Sequence, residues 1–143
     1  MRGDMIKAAA VILTGIAAPA AAQVVAAAPA ASATPAWRKV FENGQVVYYV
    51  GAGDLPKSGD GQIETLLEYK VPQVIGGAQV WSIVSHMRLR CDAQQMVTTD
   101  NTLYARPMGG GPVVETQPAN DSWHQPQQGS LGGLVWRVAC GKP

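Results

Sequence analysis

The chain has 143 residues, 11 basic and 10 acidic side chains, and two cysteines. The near-neutral charge comes without basic or acidic runs, which points away from a nucleic-acid or membrane-surface footprint. Two histidines, and two cysteines that an exported chain would bridge, are too few ligands for a zinc site.

Arg2 and Lys7 precede an apolar run from Ala8 to Ala18. That run is shorter than the roughly 20 residues a bilayer span needs. Ala20-Ala21-Ala22 then offers a small-residue cleavage site before Gln23. In this order the features read as a signal peptide over residues 1–22. No cysteine stands near the cleavage point, so a lipoprotein is not expected. Residues 23–36 are rich in Ala and Pro and read as an extended linker. Residues 37–143 remain as one domain, long enough for a single core. The mature chain is expected to be exported without a transmembrane segment, to the periplasm first, with secretion or surface display as alternatives. In an oxidising compartment its two cysteines, Cys91 and Cys140, read as one disulfide.

WRKVFE (Trp37–Glu42) and QVVYYVGA (Gln45–Ala52) flank Asn43-Gly44, which predicts a hairpin with a type I′ turn. Residues 51–61 form a glycine-rich loop without the spacing of a calcium loop. In residues 62–71, Ile63, Thr65, Leu67, Tyr69 and Val71 face one way and Glu64, Leu66, Glu68 and Lys70 the other. Residues 72–77, PQVIGG, read as the connection to the next strand. Val80–Cys91 alternates most clearly. Trp81, Ile83, Ser85, Met87, Leu89 and Cys91 make a dry face, and Ser82, Val84, His86, Arg88 and Arg90 a wet one. Pairing of these two strands would set Glu64 and Glu68 across from Arg88 and Arg90.

Met96–Ala105 reads as a further strand with a bulge at Asp100-Asn101. Gly109-Gly110-Gly111 lacks a following Lys-Ser/Thr and reads as a tight turn or close crossing rather than a phosphate loop. Residues 117–128 are polar and irregular apart from Trp123. Ser130 then caps a helix with the apolar stripe Leu131, Leu134, Val135 and Val138, closed by Gly141. A strand, Leu134–Cys140, is the competing reading.

These landmarks resemble one known family. They are a signal peptide, a Trp opening the domain (Trp37), a Tyr-bearing second strand (Tyr48, Tyr49), and a central strand ending in Cys91-Asp92. Tyr104, Met108-Gly-Gly-Gly, Trp123, Gly129-Ser130 and Cys140-Gly141 follow in order. The pattern, over Trp37 to Gly141, resembles the bacterial surface-adhesin protein E-like family. The resemblance implies an α+β fold in which a curved antiparallel sheet of five to six strands packs against a C-terminal helix. It also places a disulfide at Cys91–Cys140 and implies protein binding and possible homodimerisation. This chain lacks the lipid-attachment cysteine and the lysine-rich patch of the family's outer-membrane lipoprotein.

No catalytic set, metal or cofactor is expected. His86 reads as a solvated strand residue with no nucleophile or carboxylate fixed beside it by spacing. The aromatic residues are mainly core, and Tyr49 and Leu66 stand out on polar strand faces as candidates for an exposed patch. Tyr49, Leu66, His86, Arg88, Trp123 and His124 are the candidate partner-binding residues. The expected function is a non-catalytic exported module that recognises a protein partner through a sheet face or edge strand. The alternatives are an inhibitor of an enzyme such as lysozyme, or a small hydrolase using His86 or His124.

Overall fold

A computed structural model describes residues 36–53 and 55–142, together with Gly15. The signal peptide and nearly all of the linker therefore lie outside the described residues. Six strands follow one another as a meander. They are β1 (Trp37–Glu42), β2 (Val46–Gly51), β3 (Asp60–Ile75), β4 (Ala78–Arg90), β5 (Gln95–Arg106) and β6 (Gly110–Pro118). Every neighbouring pair is antiparallel, in the spatial order β1 to β6, so the sheet is open with β1 and β6 at its edges. One helix, α1 (Leu131–Cys140), closes the domain. The expected α+β fold, a sheet of five to six strands with a terminal helix, is observed with six strands.

The helix is local chemistry at both ends. The Ser130 hydroxyl accepts the Gly133 N–H at 3.0 Å, and Gly141 takes the left-handed conformation (φ 63°) that ends it. Its buried residues are Gly133, Val135, Trp136, Ala139 and Cys140. Of the predicted stripe Leu131, Leu134, Val135 and Val138, only Val135 is buried, and the other three stay partly exposed. The tether decides the rotation. Cys140 is bonded to Cys91, with Cα atoms 5.5 Å apart. Trp136, Ala139 and Cys140 share one side at helical spacing, whereas Val138 lies on another. Burying Val135 and Trp136 contributes about 1.5–3 kcal/mol each.

The core under α1 uses Val50, Ile63, Met87, Leu89 and Met96, which belong to one face of the sheet. We refer to it as the helix face. Lys57 N–H donates to the Ala139 carbonyl, and Cys91 N–H to the Gly59 carbonyl, so the β2–β3 loop clasps the same end.

At the other end of the sheet the burial changes sides. Ser82 and Val84, predicted wet, are buried together with Val80 and Leu66 on the outer face. A 3₁₀ turn over Pro107–Gly109 folds across them. Gly109 N–H donates to the Ser82 hydroxyl at 2.9 Å, and that hydroxyl donates to the Arg106 carbonyl at 2.7 Å. A Cβ at Gly109 would sit 3.1 Å from the Val84 side chain, which is the close approach the glycine run foretells.

Three local expectations change. Neither Asn43 nor Gly44 has a positive φ, so the first hairpin does not use a type I′ turn. The Asn43 side chain instead accepts the Gln45 and Val46 N–H groups. Residues 72–75, read as connection, continue β3, and the turn is Gly76-Gly77 with both φ values positive. The bulge in β5 falls at Thr99, beside the predicted pair: His86 faces Asp100 while Met87 faces Thr98.

Candidate functional site

The outer face opposite α1 carries the candidate site. Strict alternation along β4 sends Arg90, Arg88 and His86 to this face, while Leu89 and Met87 enter the core. Trp123, from the loop after β6, lies against the two arginines. Its ring centroid is 3.9 Å from the Arg90 guanidinium carbon and 5.7 Å from that of Arg88. The loop is positioned by backbone pairing of His124 with Met96 and by the Asp121 carboxylate, which accepts the Thr98 N–H at 2.8 Å. Cation–π contacts of this exposed kind contribute about 0.5–1 kcal/mol each. Among the described residues neither guanidinium has an ion-pair partner within 4.0 Å. Arg90 donates only to the Gln95 side chain, at 3.3 Å. A shallow depression of about 160 Å³ beside the cluster is lined by Asp60, Gln62, Arg88 and Trp123.

His86 is held differently from the prediction. Its Nδ1 lies 2.5 Å from Asp100 Oδ1, and its Nε2 lies 3.1 Å from Glu64 Oε1. The carboxylates come from β5 and β3, because the register sets Glu64 and Asp100 directly across from His86. Arg88 and Arg90 consequently face Gln62 and Asp60, not the glutamates the sequence suggested. The hydrogen bond to Asp100 raises the His86 pKa above its ordinary value of 6.5; burial opposes this, and Glu64 adds to it. Both carboxylates accept, so the protonated ring donates from both nitrogens, and in that form it has no lone pair free to take a proton from a substrate.

This arrangement has a pH consequence. The folded pKa lies above the unfolded one, so the stabilisation is complete below about 6.5 and is lost as pH rises through the folded value. The His86 side chain is 45% exposed, so solvent screening keeps the effect below about 1 kcal/mol. An NMR titration of the His86 ring protons is expected to give a midpoint above 6.5. A midpoint at or below that value would contradict the carboxylate clamp.

The six predicted contact residues therefore separate. His86, Arg88 and Trp123 lie on the outer face at the disulfide end. Tyr49 is half-buried and pairs with Leu66 toward the middle of the sheet. Leu66 itself is fully buried, so it cannot belong to an exposed patch. The 3₁₀ turn covers the side that alternation had left open. His124 belongs to the helix face, where it borders a groove of about 620 Å³ with Ser85, Asn101, Asp121 and Gly132. Its Nδ1 donates to the Ser122 carbonyl at 2.8 Å and lies 3.3 Å from Asp121. Arg90 joins the cluster although it is not among the six candidates; the alternation that puts Arg88 on this face applies equally to it. Glu64 and Asp100 required the strand register, which one strand's pattern does not contain.

The family model for surface-adhesin protein E matches residues 37–141, the whole sheet, the outer-face cluster and the helix. The chain belongs to the surface-adhesin protein E family. Two solved structures share the fold. The crystal structure of protein E from non-typeable Haemophilus influenzae superposes with a TM-score of 0.58 at 12% identity, covering 73% of this chain and 75% of that one. A second structure of Haemophilus influenzae protein E gives 0.57 at 11% identity, covering 73% and 83%. No curated protein matches the chain significantly. The surface-adhesin protein E family is one of surface adhesins and not of enzymes, in line with the non-catalytic reading. Among the described residues no helix is long and apolar enough to cross a membrane. Nor is any group of three or more His, Cys, Asp or Glu side chains among them arranged to hold a metal ion.

Proposed function

We propose that this chain is an exported, non-catalytic module that recognises a protein partner through the outer face of its sheet, in the periplasm or at the cell surface. The observation that carries this is the Arg88–Trp123–Arg90 cluster. Two guanidinium groups without carboxylate partners among the described residues, together with an indole ring, are the kinds of side chain that dominate protein interfaces. The arginines stand on β4, whose opposite face is core, and the loop that carries Trp123 is tied to β5 by the His124–Met96 pairing, so the cluster meets a partner with little reordering. Membership of an adhesin family supports contact as the task. The clamped His86 speaks against its use as a general base in a hydrolase.

The test is capture from an envelope extract with wild-type chain, Trp123→Ala and Arg88→Ala as baits. The wild type is expected to retain a partner that either variant loses at least about tenfold, the range of a central aromatic or arginine anchor. An identical captured set for all three would overturn the assignment of this face.

A further inference from the structure

One row of the helix face is polar from strand to strand. Thr65, Ser85, Asn101 and Gln117 stand across from one another on β3, β4, β5 and β6. Ser85 belongs to the dry face that alternation predicts, yet its hydroxyl donates to the Asn101 carbonyl oxygen at 2.6 Å. Ser85, Asn101 and Gln117, with Tyr48 and Met87, make the sheet floor of the groove of about 620 Å³ that His124 borders. Gly132 of α1 flanks it on one side, and Asn120 and Asp121 of the segment after β6 on the other. The volume lies within the range of small-molecule clefts, about 300–1,000 Å³.

Hydrogen-bonding capacity is left over along this lining. Asn101 Nδ2 and the exposed Asn120 side chain have no partner among the described residues. Gln117 spends an amide N–H on Glu115, which leaves its carbonyl oxygen to accept. His124 Nδ1 donates to the Ser122 carbonyl, so Nε2 of the neutral ring accepts.

The same lining disfavours other ligands. It contains no Lys or Arg, so a phosphate or carboxylate would meet no opposite charge. Its one carboxylate, Asp121, is committed to the N–H groups of Thr98 and Ser122. An acyl chain would leave the row of amides and hydroxyls without partners. A peptide strand adds to the main chain of a sheet edge, whereas β4 and β5 are interior strands and offer the groove only side chains. A neutral polyhydroxylated molecule fits what remains. A pyranose carries hydroxyl groups around its rim and C–H groups on its faces. Amide side chains, each with a donor and an acceptor, match the rim, and the half-buried Tyr48 and the Met87 thioether match a C–H face.

We propose that this groove is a binding site for a short neutral oligosaccharide. Asn101, Gln117, Asn120 and His124 hold its hydroxyl groups, and Tyr48 and Met87 lie under a ring. The site is on the opposite face from the Arg88–Trp123–Arg90 cluster and stands independently of the protein partner proposed above.

The test is an NMR titration of the purified chain with maltotriose, cellotriose and chitotriose, each to millimolar concentration, beside trigalacturonate and tetraalanine. At least one neutral trisaccharide is expected to shift the resonances of Asn101, Asn120 and His124 saturably. Asn101→Ala and Asn120→Ala are each expected to weaken that binding about three- to tenfold, the range of a lost hydrogen bond. Arg88→Ala is expected to bind the sugar like wild type, which separates this site from the outer face. Asn120 is exposed, so its variant decides the matter should Asn101→Ala melt early. The proposal is overturned if no neutral trisaccharide binds, or if the shifts map outside the groove. It is equally overturned if Asn120→Ala binds like wild type, or if the acidic sugar or the peptide binds more tightly.

Discussion

Replacing both Cys91 and Cys140 by serine is expected to cost about 2–4 kcal/mol of stability. The bridge joins residues 49 apart, and chain entropy alone gives about 4 kcal/mol for such a loop, as an upper figure. For a domain of this size that lowers the melting temperature by about 10 °C or more. The physical reason extends beyond loop closure. The bond fixes which side of α1 meets the sheet, and with it the burial of Val135, Trp136 and Ala139. Thermal unfolding of the oxidised wild type and the double-serine variant measures this directly. A loss below about 1 kcal/mol would mean that packing alone orients the helix.

The second large effect separates two adjacent glycines. A Cβ built at Gly133 would stand 2.0 Å from the Gln127 carbonyl oxygen, a backbone atom that cannot swing aside. Gly133→Ala is therefore expected to destabilise by about 2–3 kcal/mol, although alanine favours helix by about 1 kcal/mol. At Gly132 the nearest atoms are the Met96 thioether sulfur and methyl, at 3.5 Å, an ordinary contact. Gly132→Ala should stabilise by up to about 1 kcal/mol. Denaturant midpoints of the two variants are expected to shift in opposite directions. Shifts of the same sign would show that the loop does not press on the helix. The same pressure carries a second consequence, because the loop that Gly133 accommodates is the one presenting Trp123.

What could be read from the residues was whatever local chemistry determines. Ser130 and Gly141 cap the helix because their side-chain and backbone preferences act within one turn. The alternation of β4 correctly separated Met87 and Leu89 from Arg88 and Arg90. The cysteine pair followed from compartment and count. Failures occurred where distant segments decide. Val84 and Leu66 were assigned to an open face, since nothing in their own strands announces the 3₁₀ turn that covers them. His86 was assigned to solvent because its two carboxylates arrive on other strands, one of them just after a bulge. The helix stripe was rotated because the covalent tether, and not the number of leucines, selects the buried side. The candidate site was half legible: His86, Arg88 and Trp123 were named, Arg90 was overlooked, and His124 belongs to a different face.

The most direct test of the outer face as the contact surface is crosslinking in living cells from a photoreactive residue placed at Gln62. That position is exposed, borders Arg88 and Trp123, and faces Arg88 across the sheet. Lys57, exposed in the loop that clasps the helix end, is the control. The account predicts a discrete protein adduct from position 62 that disappears with Trp123→Ala, and none from position 57. Adducts arising at position 57 alone, or an adduct at 62 indifferent to Trp123, would contradict it.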